Sequence, residues 1–176
     1  MGRKMPDQLT DRDYQTLMFI HRYMFALVFE EVPSRIFNAP YINTMLNNME
    51  KVIKNKLDVK KLSIYSGHDT NVVPLLVFYN LTSAECLKKQ WMGQTVTGNC
   101  AVPIPFASNL FFELHQDDKN SSQYFVKMRY NGNYFNLCGK NSTECLFDEF
   151  ALKSRNYLLD FDKECGNKQS DYPVQR

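Results

Sequence analysis

Apolar residues recur at helical spacing twice in the first third of the chain. From Thr10, a good N-cap residue, the stretch DRDYQTLMFIHRYMFALVFEEV repeats them at Tyr14, Leu17, Met18, Met24, Leu27 and Val28. This spacing predicts a long amphipathic helix ended by Pro33. A second helix is predicted after Pro40, with Ile42, Met45, Leu46, Met49, Val52 and Ile53 on one face and mostly Asn, Glu and Lys on the other. His21 lies in an apolar neighbourhood with no further ligands nearby and reads as a core or boundary histidine.

The pattern then changes. LSIYS is a short apolar run rich in strand formers and is expected to be a buried strand. The polar GHDT follows at once, and then a helix carrying Val72, Val73, Leu75, Leu76 and Phe78, with Asp69, Thr70 or Asn71 as its cap and Pro74 in its first turn. Strand, polar loop and helix in that order create the crevice where ligands bind in open α/β sheets. From Leu81 to Val102 the chain reads as polar and irregular, with Trp91 as an anchor on the core. SNLFFELH, SQYFVKMRY and NYFNLC read as three short strands, the last two joined by the tight NGN turn. CLFDEFALKSRN predicts a final helix capped near Thr143 or Ser142, and the tail from Gly166 is expected to fray.

Composition narrows the classes. The chain has 176 residues, 44% of them hydrophobic, which suits a folded core. Twenty-one Lys+Arg against 19 Asp+Glu leave a net charge of +2, so no electrostatic case exists for nucleic acid or a membrane surface. The densest apolar stretch, Tyr14 to Val32, is broken by His21, Arg22, Glu30 and Glu31, so no transmembrane span is expected. The first dozen residues lack the apolar core of a secretory signal and, alone, read as cytosolic. The cysteines disagree. Cys86 and Cys100 flank one loop-like segment and Cys138 and Cys145 another, so two local disulfides are geometrically reasonable, with Cys165 left over. None forms the Cys-x-x-Cys pairs of a zinc site, and no metal is expected. Glycosylation sequons occur at Asn80, Asn120 and Asn141, little above chance but all in polar, turn-like surroundings.

One constellation can carry chemistry: Ser66-Gly67-His68-Asp69-Thr70 at the end of the apolar run. Gly67 permits close backbone approach, and the following helix directs its positive end at an imidazole and a carboxyl, a setting that suits a phosphate. The competing reading is that Asp69 merely caps the helix while His68 packs.

KKLSIYSGHDTNVVPLL, preceded by PYINTMLNNMEKVI and followed by PFASNLFFELH and YFVKMRYNG, resembles the C-terminal half of the histidine acid phosphatases of lysosomal and prostatic type, in branch 2 of the histidine phosphatase superfamily. The likeness runs from Pro40 to about Cys165, so residues 1–165 are expected to form the C-terminal half of such a domain, followed by the 166–176 tail. The resemblance implies an α/β fold with a mixed central sheet flanked by helices, incomplete in this chain. It also implies phosphomonoester hydrolysis through a phosphohistidine, without a cofactor. His68 matches the histidine that hydrogen-bonds the phosphoryl oxygens, and Asp69 the acid that protonates the departing alcohol. The His-Asp form differs from the His-Ala-Glu of inositol polyphosphate phosphatase relatives. A carboxylic acid must hold its proton at the moment of attack, and an adjacent phosphate anion favours that, so an acidic optimum is expected.

The family's principal motif, Arg-His-Gly-x-Arg-x-Pro, which supplies the nucleophile and the phosphate-binding arginines, does not occur in the sequence. His21-Arg22 is in the reverse order without a following Gly, and His115 lacks the required neighbours. The resemblance therefore implies a missing N-terminal half, acting in cis or in trans, which would also hold the secretory signal and the partner of Cys165. Some members carry a cysteine where Asn109 stands, so the loop bridge here is a different one. The implied partners are a phosphomonoester substrate, that missing half and, as an option, a second copy. The implied location is lysosomal or secreted. The alternatives are a non-catalytic phosphate-binding or interaction protein, and a truncated fragment whose unpaired strands expose edges and apolar faces.

Overall fold

A computed structural model describes residues 9–54, 61–101, 105–139, 142–164 and 166. Asn141, Cys165 and the tail beyond Gly166 lie outside the described residues. Among the described residues, seven helices and four strands follow one another as α1 (Asp11–Val28), α2 (Val32–Phe37), α3 (Ala39–Ile53), α4 (Asp69–Phe78), α5 (Ala84–Trp91), β1 (Leu110–Gln116), β2 (Tyr124–Tyr130), β3 (Asn133–Phe135), β4 (Glu144–Leu146), α6 (Phe147–Tyr157) and α7 (Phe161–Glu164).

Helix α1 starts where Thr10 predicts. Asp13 N–H donates to Thr10 Oγ1 (3.2 Å) and Thr10 N–H to Asp13 Oδ2 (2.9 Å), a reciprocal cap, and the Thr10 hydroxyl (2.6 Å), followed by the Thr10 N–H, holds the Asp13 carboxyl below its ordinary range. Pro33 does not end this helix. The chain has already turned at Glu31, with φ 52°, and Pro33 sits in the first turn of α2, where its missing N–H costs nothing. The covered face of α1 is also different. Phe19, Tyr23 and Ala26 pack against α5, while Leu17 (56% exposed), Met24 (47%) and Val28 (58%) face solvent. His21 is exposed, its ring 4.8 Å from Phe25, and is no core residue.

Helix α3 buries Ile42, Met45, Leu46 and Met49 as its periodicity requires. Helix α4 is apolar on nearly every side, burying Val73, Leu75, Leu76 and Phe78. Pro74 lies in its second turn rather than its first, so the Thr70 carbonyl loses its helical donor at an exposed residue where water can replace it. Helix α5 replaces the irregular segment expected there: Ser83 Oγ accepts from Cys86 N–H (3.0 Å) and nucleates it. Trp91 stacks on Phe19 of α1 (4.8 Å, 10°) instead of on the main core.

Strand β2 is the middle of the sheet. It pairs antiparallel with β1 on one side (Leu110↔Tyr130 to Gln116↔Tyr124) and with β3 and β4 on the other. The NGN turn forms as expected, with Asn131 at φ 46° and Gly132 at φ 85°, the pair of positive values a two-residue hairpin demands. Val126, Met128 and Tyr130 alternate into one core with α3, α4 and α6. Ser142 and Thr143 do not cap α6. Strand β4 intervenes, drawing Cys145 opposite Val126, and α6 begins at Phe147.

The architecture is α/β, but every ladder among the described residues is antiparallel, where a mixed sheet was expected. The run Leu62–Ser66 enters no ladder among those residues, and Leu62 is 71% and Ile64 83% exposed. A strand buried on both faces needs a backbone partner and covering layers. None is supplied to this run here, so it is no buried strand.

Both local disulfides form, Cys86–Cys100 with Cα atoms 5.8 Å apart and Cys138–Cys145 at 5.6 Å. Replacing Cys86 and Cys100 together by serine is expected to lower stability by about 3 kcal/mol, the loop-closure value for a ring of about 15 residues. Urea denaturation of the oxidised protein and the double variant measures it.

Candidate functional site

The loop before α4 is built by a cap of unexpected identity. His68, not Asp69, Thr70 or Asn71, is the N-cap residue, with extended backbone (φ −107°, ψ 176°). Its N–H donates to Asn71 Oδ1 (2.9 Å), and its carbonyl accepts from Asn71 N–H (3.0 Å) and Val72 N–H (3.2 Å). Asp69 is therefore not the N-cap residue. Its Oδ1 instead accepts from the adjacent Thr70 N–H at 2.8 Å.

Gly67 allows a close approach. A Cβ there would sit 3.1 Å from Asn71 Oδ1 and 3.3 Å from Asn71 Cβ, pressing on the side chain that holds the His68 amide. Ser66, Gly67, His68 and Thr70 are exposed, and Asp69 is half-buried. The two candidate residues thus stand together at the positive end of a ten-residue helix, open to solvent.

Upstream, Tyr65 fastens the run to the body of the protein. Its ring meets Tyr41 of α3 edge-on at 5.2 Å, and Tyr41 lies 6.5 Å from Phe112 of β1. Burial, and then the neighbouring Tyr65, push the Tyr41 hydroxyl above its ordinary value, which keeps it neutral. Deeper in, burial raises the Tyr79 hydroxyl far more, and Tyr79 Oη lies 3.3 Å from Ser154 Oγ.

The other histidines are engaged elsewhere. His115 stacks on Phe125 (5.4 Å, 2°) with Nε2 3.1 Å from Glu113 Oε2. Glu113 also receives the Tyr134 hydroxyl (3.2 Å) and faces Arg129 Nε (3.3 Å). This network on the outer face of the sheet escaped the sequence reading, although the alternate positions Glu113 and His115 on β1 and Lys127 and Arg129 on β2, with Glu113 opposite Lys127, carry its signal. Lys127 pairs with Glu144 at 2.8 Å, and that hydrogen bond raises its ammonium above the usual range. Cys138, Cys145 and Glu149 bring potential ligand atoms within 4.8 Å of one another, but the disulfide consumes both thiols.

A groove of about 970 Å³ runs between α2, the start of α3 and residues 158–162, lined by Phe29, Ile36, Phe37, Leu158 and Phe161, and does not include the His68 loop. No helix among the described residues is long and apolar enough to cross a membrane.

Comparison with known proteins relates the chain to a family and to a curated protein. The family model described as histidine phosphatase superfamily (branch 2) matches residues 22–131, a span that contains the His68-Asp69 loop and the β1–β2 hairpin. Counting factor 60 of Dictyostelium discoideum is 26% identical over 147 residues, which cover 83% of this chain and 30% of that protein. The chain thus spans less than a third of that relative's length.

Proposed function

The chain belongs to branch 2 of the histidine phosphatase superfamily, and from that premise we propose that it is the proton-donor half of an acid phosphatase. Membership suggests phosphoester chemistry. The observation that carries the finer reading is the His68-Asp69 pair at the N-terminus of α4, His68 exposed and Asp69 half-buried, with His68 and Asn71 closing the helix end and Asp69 Oδ1 accepting from the Thr70 N–H.

In this reading a histidine outside these 176 residues attacks phosphorus with an imidazole nitrogen. The N–P bond forms as the P–O bond to the alcohol breaks, and Asp69 gives its proton to the departing oxygen, which would otherwise leave as a poor alkoxide. His68 donates a hydrogen bond to the phosphoryl oxygens, and in its protonated form adds positive charge where negative charge accumulates. Water then attacks the phosphorus: the O–P bond forms as the N–P bond breaks and returns its electron pair to the imidazole, the Asp69 carboxylate takes the proton from the water, and inorganic phosphate leaves. Because Asp69 must carry the proton that it gives to the leaving oxygen, activity is favoured at low pH.

Two disulfides within the described residues support an oxidising compartment, and with it a lysosomal or secreted, glycosylated protein. The exposed faces of α1 and of the Leu62–Ser66 run support the need for a complementary polypeptide, in cis or in trans. The absent Arg-His-Gly-x-Arg-x-Pro motif favours a second reading, a non-catalytic phosphate-binding or interaction protein.

An aryl phosphate assay at pH 4 to 6 tests both. The purified chain alone is expected to release no phosphate, and release is expected on adding a polypeptide that carries the nucleophile motif. Turnover by the chain alone that disappears in Asp69→Asn would overturn the half-site reading. An inert mixture of stably associated partners would favour the non-catalytic one.

A further inference from the structure

We propose that Asn120 carries an N-linked oligosaccharide and that Asn80, also within a sequon, carries none. The proposal rests on the secretory reading above but goes beyond it, because it selects between sites that sequence alone leaves equivalent.

Asn120 lies at the exposed tip of the β1–β2 hairpin, and its side chain is already folded back on its own sequon. Asn120 Oδ1 accepts from Ser122 N–H (3.2 Å) and from the Ser122 hydroxyl (2.7 Å). These contacts form an Asx turn, in which the sequon hydroxyl polarises the amide that must be alkylated. The turn is held by local bonds. Asp117 Oδ1 accepts from Lys119 N–H (2.7 Å) and Asn120 N–H (2.9 Å), and Gln123 N–H donates to the Asn120 carbonyl (2.9 Å). All these contacts span three residues or fewer, so the conformation is available to a chain whose core has not yet formed. Residues 118–122 are all exposed.

Asn80 is exposed as well, but its sequon is built into the fold. Asn80 has φ 55° and terminates α4: its N–H donates to the Val77 carbonyl (2.9 Å), and Leu81 N–H reaches back to Leu76 (2.8 Å). The hydroxyl-bearing Thr82 is 1% exposed, with Oγ1 3.9 Å from Cys86 Sγ. The Leu81 carbonyl accepts from Ala101 N–H (2.6 Å), beside the Cys86–Cys100 bridge. Once this region folds, the hydroxyl is withdrawn and the backbone cannot adopt an Asx turn.

The co-reactant is an oligosaccharide linked to a lipid pyrophosphate. A bond forms between Asn120 Nδ2 and the anomeric carbon as the bond from that carbon to the pyrophosphate breaks. One amide proton goes to the transferase's base, and the lipid pyrophosphate leaves. Translation of the full 176-residue chain behind a cleavable secretory leader, with microsomes present, tests the site independently of the native route.

Asn120→Gln and Ser122→Ala are each expected to remove one step of endoglycosidase-sensitive mobility. Ser122→Thr should retain it. Asn80→Gly, which removes the sequon yet keeps a left-handed C-cap, should leave the pattern unchanged. The proposal is overturned if the step persists in Asn120→Gln, if it is lost in Asn80→Gly, or if leader cleavage occurs with no step at all. If the protein from its own cells lacks any glycan while the leader-directed chain gains one at Asn120, the secretory reading fails and the site assignment stands.

Discussion

Replacing Asp69 with asparagine is expected to lower kcat of the phosphatase, assembled from this chain and the polypeptide carrying the nucleophile, by about 10²–10⁴-fold. The substitution is conservative for the fold. Asparagine keeps an Oδ1 acceptor for the Thr70 amide, and the helix cap depends on His68 and Asn71. What it removes is the transferable proton. The loss should therefore depend on the leaving group, largest for an alkyl phosphate, whose alkoxide needs protonation, and smaller for a nitrophenyl phosphate, whose phenolate leaves unaided. A purely structural role for Asp69 would depress both substrates equally, so the ratio of the two kcat values separates the explanations. The fall in rate toward higher pH should also flatten for the slow substrate, since the proton whose loss produces that fall is no longer carried at position 69.

Elements whose partners lie within the chain were legible in the sequence. Helix α3 shows its buried face at regular spacing, and the β2–β3 hairpin announces itself through Asn131 and Gly132. Each bridge pairs cysteines 14 or fewer residues apart, so local geometry sufficed. Errors arose where tertiary context decides. The apolar stripe of α1 was expected to face the core, yet the packed side is the one that meets α5 through Phe19, Tyr23 and Ala26. Periodicity identifies an amphipathic helix without saying which of two apolar faces is covered. Strand β4 was read as helix because Glu144–Leu146 is too short to show alternation, and it is drawn into the sheet by pairing with β2 and by the Cys138–Cys145 bridge. At the site, residue types suggested Asp69 as a cap, but His68 has the extended backbone and Asn71 the reciprocating side chain. Only the geometry reveals that His68 is the cap residue and that Asp69 instead holds the Thr70 N–H.

The Leu62–Ser66 run makes this distinction measurable through a pair of truncations. Phe150→Ala is expected to destabilise the chain by about 3–5 kcal/mol. Phe150 is 2% exposed, stacked 5.6 Å from Tyr79 and 6.2 Å from Phe112, at the junction of α4, α6 and β1. Ile64→Ala also deletes apolar surface, but Ile64 is 83% exposed, so its cost to the chain alone should stay within about 0.5 kcal/mol. The urea midpoints of the two variants against the parent give both values. The apolar character of Leu62 and Ile64 then has no energetic role in the isolated chain. It acquires one only if another polypeptide covers the run, and in that case Ile64→Ala should weaken association with the nucleophile-bearing partner while leaving the chain's own unfolding unchanged. A large intrinsic cost at Ile64 would mean that the run is already buried within the chain and that no complementary polypeptide is needed to cover it.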